Sequence, residues 1–247
     1  MSGHSKWATI KRAKAKTDAA RGRVFTKIIR EISTAAKVGG GDPAANPRLR
    51  LSIDKAKAAN MPNDNIKRAI EKGVGGGGEA MEELTYEGFG PGGFALLVNV
   101  MTDNRNRAAG DIRNIFDKHG GNLGSSGSVS YLFNRRGSIV LEKAGIDEDN
   151  LTLSAIDAGA EDISSEENSI EVITLPENFE KVKNALQEAG FKPVHAGIGM
   201  IPTTTVKLTG ETAQKALTLV GLLEDHDDVQ DVFTNFDISE EELEKAE

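Results

Sequence analysis

Val24-Phe25-Thr26-Lys27-Ile28-Ile29-Arg30-Glu31-Ile32-Ser33-Thr34-Ala35-Ala36 is the stretch from which the organisation of the chain can be worked out. Its apolar residues, Val24, Phe25, Ile28, Ile29, Ile32, Ala35 and Ala36, recur at helical spacing and draw one buried stripe along a helix. Lys27 and Arg30 fall off that stripe. Gly39-Gly40-Gly41 stops the helix, because glycine favours coil by entropy, and Asp42-Pro43 marks a turn. A second helix is predicted from Pro47, whose fixed φ suits a first turn, through Leu49, Ile53 and Ala56 to Asn60. A third opens at Pro62, runs through Ile66, Ala69 and Ile70, and ends at Gly73. The expected result is a small helical bundle with Arg48, Arg50, Lys55, Lys57, Lys67 and Arg68 around its rim.

Charge separates this head from the rest. Residues 1–73 hold 17 Lys and Arg against 6 Asp and Glu, about +11, whereas 74–247 hold 13 against 32, about −19. The net charge of −8 therefore hides a basic head on an acidic body. A basic module of this kind reads first as a surface for phosphate backbones, since each cation that meets a phosphate releases condensed counterions. Ahead of the bundle, 2–23 carries Lys6, Lys11, Arg12, Lys14, Lys16, Arg21 and Arg23 with few large apolar residues, so it is expected to order only on a partner. Trp7 either stacks on an unpaired base or packs back onto the bundle. The candidate nucleic-acid-binding residues are thus Lys6, Trp7, Lys11, Arg12, Lys14, Lys16, Arg21, Arg23, Lys27, Arg30, Arg48, Arg50, Lys55, Lys57, Lys67 and Arg68. The acidic body repels a polyanion and should orient the molecule head-first.

Length and composition set the remaining bounds. At 247 residues the chain suits two or three domains. The absence of cysteine removes disulfides and thiolate chemistry and fits a reducing compartment. The N-terminus has no apolar h-region, and no stretch approaches the ~20 apolar residues of a membrane span, so a cytoplasmic protein is expected. No cofactor is expected, and a monomer is favoured.

After the bundle, 73–83 reads as a glycine-rich hinge. Gly73, Gly75 and Gly78 formally fit a dinucleotide fingerprint, but they follow a helix rather than a strand. Strands are predicted at 85–89 and 95–101 around the turn Gly90-Pro91-Gly92-Gly93, then a helix over 105–119 capped by Asp103 or Asn104, then a strand at 128–133. A new set follows: strand 138–142, helix 150–158, strands 162–164 and 169–174, helix 176–189 and strand 191–196. That order is β-α-β-β-α-β, the ferredoxin-like pattern. The tail adds strand 204–208, helix 212–223 and strand 229–235, which complete the interrupted first unit. The predicted fold is α+β and multidomain: a basic arm and helical bundle over 1–78, a discontinuous α/β domain from 79–134 plus 200–247, and a ferredoxin-like domain over 135–199 inserted within it.

Signs of catalysis are weak. His4, His119, His195 and His226 are scattered without metal-ligand spacing, and neither a nucleophile elbow nor a phosphate-cradling P-loop occurs. Asp225-His226-Asp227-Asp228 offers oxygens and an imidazole, but reads as a solvated turn between a helix and a strand. Arg105 and Arg107 open a helix, where free backbone N–H groups favour anions, and grip either a phosphate or an acidic neighbour. The glycine-serine loop over 120–128 either reaches into a groove of RNA or merely connects.

Several blocks resemble a known family. Gly3-His4-Ser5-Lys6-Trp7, Phe25-Thr26-Lys27-Ile28-Ile29-Arg30-Glu31, Asn46-Pro47-Arg48-Leu49-Arg50, Asn60-Met61-Pro62, Tyr86-Glu87-Gly88-Phe89-Gly90-Pro91-Gly92-Gly93, Thr102-Asp103-Asn104-Arg105-Asn106-Arg107, Gly120-Gly121-Asn122-Leu123-Gly124, Met200-Ile201-Pro202 and Glu224-Asp225-His226-Asp227-Asp228-Val229-Gln230 are similar to the YebC/PmpR family, in order along essentially the whole chain. The resemblance implies a non-enzymatic transcriptional regulatory protein that contacts DNA. It also implies a rival, a translation factor that binds ribosomal RNA within the ribosome and relieves stalling at proline-rich stretches. A metal-dependent enzyme is a third, minor alternative.

Overall fold

The computed structural model describes residues 18–76, 81–166 and 168–239. Helices α1 (Asp18–Gly39), α2 (Pro47–Ala58) and α3 (Asn63–Val74) form the bundle. Ile32, Ala35, Ala36, Leu49, Ile66 and Ala69 are its centre, with Phe25, Ile28 and Ile29 of the apolar stripe packed against them. Asn46 ties two helices together: its side-chain oxygen caps α2 by accepting the Leu49 N–H at 3.1 Å, while its amide donates to the Ala35 and Gly40 carbonyls at 2.9 Å. Gly73 does not end α3 but lies one residue inside it, where α1 crosses. A Cβ there would stand 2.4 Å from the Ser33 carbonyl oxygen, so only glycine permits this approach.

The first sheet has the order β3-β1-β2-β9, all antiparallel, from β1 (Glu82–Phe89), β2 (Ala95–Thr102), β3 (Asn122–Leu123) and β9 (Val229–Thr234). Helices α4 (Arg105–Lys118) and α7 (Gly210–Asp225) cover one face, burying Phe94, Leu96, Val98, Ile112, Phe116 and Val220. The second sheet, β5-β6-β4-β7, comprises β4 (Phe133–Glu142), β5 (Ala160–Ser165), β6 (Ser169–Thr174) and β7 (His195–Pro202). It is backed by α5 (Glu148–Ala158) and α6 (Phe179–Glu188) and has the antiparallel ferredoxin-like strand order. Strand β9 returns to pair with β2 only after this second unit is complete, so one α/β unit interrupts the other.

Three predicted strands differ. Of the strand expected at 128–133 only Phe133 is in a strand, as the first residue of β4: a short 3-10 turn at Ser130–Leu132 precedes it, because the N–H groups of Gly127, Val129 and Ser130 go to the Glu87 carboxylate instead of a ladder. The strand expected at 191–196 starts at His195 and continues to Pro202, through Gly197 and Gly199, whose low strand propensity hid it. A Cβ at Gly199 would meet the Phe233 ring at 2.9 Å. The strand expected at 204–208 shrinks to β8 (Val206–Lys207) and pairs in parallel with β10 (Phe236–Asp237) in a separate ribbon. Strands β4 and β7 stay paired out to Phe133 and Pro202, and their ends bring Phe133 and Met200 against Ala95, Leu97 and Phe233 on the other face of the first sheet.

Candidate nucleic-acid interface

The polar face of α1 is not turned to solvent but to the acidic C-terminal half. Arg23 pairs with Asp225 at 3.2 Å. Lys27 donates to the Glu224 carbonyl, in the last turn of α7, where exposed carbonyls and the helix dipole favour a cation. Arg30 donates to the Asp227 carbonyl at 2.6 Å and to the Asp228 carboxylate at 3.1 Å. Asp228 is only 3% exposed and also receives the Thr102 hydroxyl and the Arg107 guanidinium, each at 2.9 Å. Burial opposes its charge, but the hydrogen bonds from Arg107 and Thr102 and the charges of Arg107 and Arg30 outweigh that and hold its pKa below the usual aspartate value. The segment expected as a solvated turn is therefore a clasp, and Arg23, Lys27 and Arg30, expected on the phosphate-facing surface, are its counterpart on the bundle. Periodicity could show that these cations lie off the apolar stripe, but not that a second, acidic partner covers them.

Arg107 resolves one open alternative. It bonds Asp103 at 2.7 Å and Asp228 at 2.9 Å, so an acidic neighbour holds it, and these hydrogen bonds raise its pKa further above the ordinary arginine value. Asn104 is the N-cap of α4, accepting the Arg107 N–H at 3.0 Å, and Arg105 is exposed at the helix start. Arg48 is likewise engaged: it grips Glu31 through two nitrogens at 2.8 and 3.1 Å and reaches Glu83 of β1 at 2.9 Å. Leu51 packs into the core of the second sheet, and Lys183 of α6 lies 3.8 Å from Asp54, so α2 touches that unit as well.

Most of the other predicted cations among the described residues face outward. Lys55, Lys57, Lys67 and Arg68 are exposed on either side of the Ala59-Asn60-Met61-Pro62 turn between α2 and α3. Arg68 is steadied by the Asp64 carbonyl at 3.2 Å and the Asn65 side chain at 2.7 Å. Arg50 is half-buried and donates to the Pro43 carbonyl, and Arg21 is exposed near the start of α1. Lys6, Trp7, Lys11, Arg12, Lys14 and Lys16 lie outside the described residues.

A residue that sequence reasoning passed over organises the glycine-serine loop. Glu87, 6% exposed on β1, accepts the N–H groups of Gly127, Val129 and Ser130 at 2.7, 2.8 and 2.9 Å. Burial would raise its pKa, but these three backbone donors hold it below the ordinary glutamate value. The signal was present in the block Tyr86-Glu87-Gly88-Phe89, where an acid sits between apolar and glycine neighbours on a strand; its partners, some forty residues away, gave no local sign.

Among the described residues, no three or more His, Asp or Glu side chains gather in a way that would hold a metal ion, and no helix is long and apolar enough to cross a membrane. Family models match in two parts: "TACO1/YebC protein N-terminal domain" over residues 5–76, and "TACO1/YebC second and third domain" over 81–236. Proteins of Geotalea uraniireducens and Citrifermentans bemidjiense, each named "Probable transcriptional regulatory protein", are 58% and 59% identical over 246 residues, covering 99% of this chain and 99% of each relative. The crystal structure of a conserved hypothetical protein from Aquifex aeolicus superposes with a TM-score of 0.81 at 49% identity, covering 92% of this chain and 94% of that one. With both family models and full-length relatives in agreement, the chain belongs to the TACO1/YebC family.

Proposed function

We propose that this protein is a cytoplasmic regulator that acts by binding nucleic acid, not by catalysis, and that its target is DNA. The observation that carries the reading is the exposed cationic rim of Lys55, Lys57, Lys67 and Arg68 around the α2–α3 turn, which stays outward when Arg23, Lys27, Arg30 and Arg48 are drawn into internal pairs. The basic arm with Lys6, Lys11, Arg12, Lys14 and Lys16 adds charge on the same side of the sequence, and Trp7 adds a stacking surface. The naming of the relatives as transcriptional regulatory proteins supports DNA as the target.

One observation favours a second reading, ribosomal RNA. The exposed positions of α3 include Asp64 and Glu71 beside Lys67 and Arg68, and two carboxylates oppose insertion of that helix into a major groove. Contacts limited to phosphates suit a folded RNA read by shape. Gel shifts on promoter-length duplex DNA at physiological salt, run beside sedimentation with purified ribosomes, separate the two. DNA complexes that survive competitor and salt without ribosome co-sedimentation support the transcriptional reading; the reverse result replaces it with the ribosomal one. Changing Lys11, Arg12, Lys14 and Lys16 to Glu should flatten the log-salt slope by up to about 0.9 for each lost contact with duplex DNA. An unchanged slope removes the arm from the interface.

A further inference from the structure

Two stretches of the acidic body carry no acids. Neither 118–141 nor 189–210 contains Asp or Glu, whereas together they carry Lys118, Arg135, Arg136, Lys192 and Lys207. The fold joins these two stretches: β4 pairs with β7 along its length, and the Thr203 N–H and hydroxyl both donate to the Leu132 carbonyl, at 2.8 and 3.1 Å. Glu161, which reaches this region from β5, is paired with Arg136.

Tyr131 stands in the first of these stretches, and the chain on both sides of it is locked. On one side, Val129 is fully buried and the Val129 and Ser130 N–H groups are fixed on Glu87. On the other, Leu132 is half-buried with its carbonyl held by Thr203, and Phe133 is buried. Yet the Tyr131 side chain is 73% exposed. A large aromatic ring presented to water from a rigid turn loses little conformational freedom when it is covered, which is how anchor aromatics of binding surfaces work. Exposed Arg135 follows four residues on, at the start of β4, and supplies a cation within the same acid-free stretch of sequence.

We infer that Tyr131 is a stacking platform for an unpaired nucleobase, with Arg135 meeting the adjoining phosphate, so that a single-stranded segment of the target crosses the acid-free stretches while the bundle rim holds another part. The inference rests on the reading that the protein binds nucleic acid. It gives that binding a second contact point on the body, where two acid-free stretches lie side by side. It also gives the glycine-serine loop and its Glu87 anchor a purpose beyond connection.

The test uses the full chain, fluorescence anisotropy, and three labelled probes: a short single-stranded RNA, the single-stranded DNA of the same sequence, and blunt duplex DNA. Tyr131→Ala should weaken binding of the single strands by about ten-fold or more, leave duplex affinity and the log-salt slope unchanged, and be rescued by Tyr131→Phe. Loss on RNA alone identifies RNA as the source of the base; loss on both strands leaves the base itself as what is recognised. Lys55→Glu with Lys67→Glu should weaken all three probes and flatten the slope. If Tyr131→Ala binds the single strands as well as the unsubstituted protein while the lysine variant does not, stacking is overturned and nucleic-acid binding stands. If Tyr131→Ala weakens the duplex equally, the residue acts through the fold and the inference also fails. If the unsubstituted protein binds no probe, both readings fall. Because the ring is exposed, thermal melting of Tyr131→Ala should match that of the unsubstituted protein, which checks that a loss is not unfolding.

Discussion

Asp228→Asn should loosen the attachment of the helical bundle to the body without unfolding either. The carboxylate has one oxygen on Arg30 at 3.1 Å and the other on Thr102 and Arg107, each at 2.9 Å. An amide must turn its NH2 toward one of these sets of donors. Facing Arg30 sacrifices one bond; facing Thr102 and Arg107 sacrifices up to two. The preferred rotamer therefore gives up the one bond that crosses to α1. A hydrogen bond to a charged partner contributes about 1.5–3 kcal/mol. Arg30 keeps its bond to the Asp227 carbonyl, so it is not stranded, and about 2 kcal/mol is the expected loss. That raises the open population roughly 30-fold and, for a chain of this size, lowers the melting midpoint by about 4–8 °C. Hydrogen exchange read by mass spectrometry should speed up in peptides covering 20–36 and 224–232, and not in those covering the second sheet. Asp225→Asn is the control. Its pair with Arg23 is largely solvent-exposed, so it should change stability by less than about 1 kcal/mol. Equal effects of the two substitutions, or an Asp228→Asn protein with unaltered exchange and midpoint, would refute the clasp as an element that holds bundle to body.

Other expectations follow from the same contacts. Asp228 and Glu87 both have folded-state pKa values below their unfolded ones, so their contribution is complete above the ordinary carboxylate range and is lost as pH falls through the folded values. Urea midpoints measured at descending pH should drop below about pH 4, and less steeply in a protein carrying Asp228→Asn with Glu87→Gln. Glu87→Gln alone must set its NH2 against at least one of three backbone donors and should cost about 1.5–3 kcal/mol, with faster amide exchange at Gly127 if its best rotamer gives up that bond. Gly73→Ala gains about 1 kcal/mol of helix propensity, but its Cβ would lie 2.4 Å from the Ser33 carbonyl and 2.9 Å from the Ala36 Cβ. Because a backbone carbonyl cannot swing aside, α1 and α3 must separate, and a net loss of about 1–3 kcal/mol in a urea titration is expected.

What the sequence made legible was local or repeated at fixed spacing. The apolar stripe from Phe25 to Ala36 is the bundle core in the positions expected, and Pro47 opens α2 as its fixed φ suits. The β-α-β-β-α-β order was readable because every element there except the glycine-containing last strand has its own period. What was hidden depends on partners distant in sequence. Ser128-Val129-Ser130-Tyr131-Leu132-Phe133 alternates like a strand, and only Glu87 diverts its N–H groups. Gly73 looks like a stop because a sequence does not show which helix crosses it. Lys27 and Arg30 look solvated for a related reason: a periodic pattern identifies the face that is apolar, and says nothing about whether the opposite face meets water, phosphate or a carboxylate.

That last ambiguity bears on how the charge of the head is used. The separation of about +11 from about −19 is a property of the sequence, but it serves two ends in the folded protein. Part of it attaches head to body through Arg23, Lys27, Arg30 and Arg48, and part faces outward through Lys55, Lys57, Lys67 and Arg68. A phosphate competing for Arg30 would leave Asp228, 3% exposed, without one of its cations, and a buried carboxylate deprived of a partner is costly. The phosphate contacts of an exposed lysine displace only counterions and water. The two groups should therefore separate in paired measurements on duplex DNA. Arg30→Gln should lower the urea midpoint and leave the log-salt slope of binding as it was. Lys67→Gln should leave the midpoint as it was and reduce the slope by about 0.9. A slope that changes with Arg30 and not with Lys67 would mean that the clasp opens to admit the nucleic acid, and the division of charge drawn from the closed structure would have to be reversed.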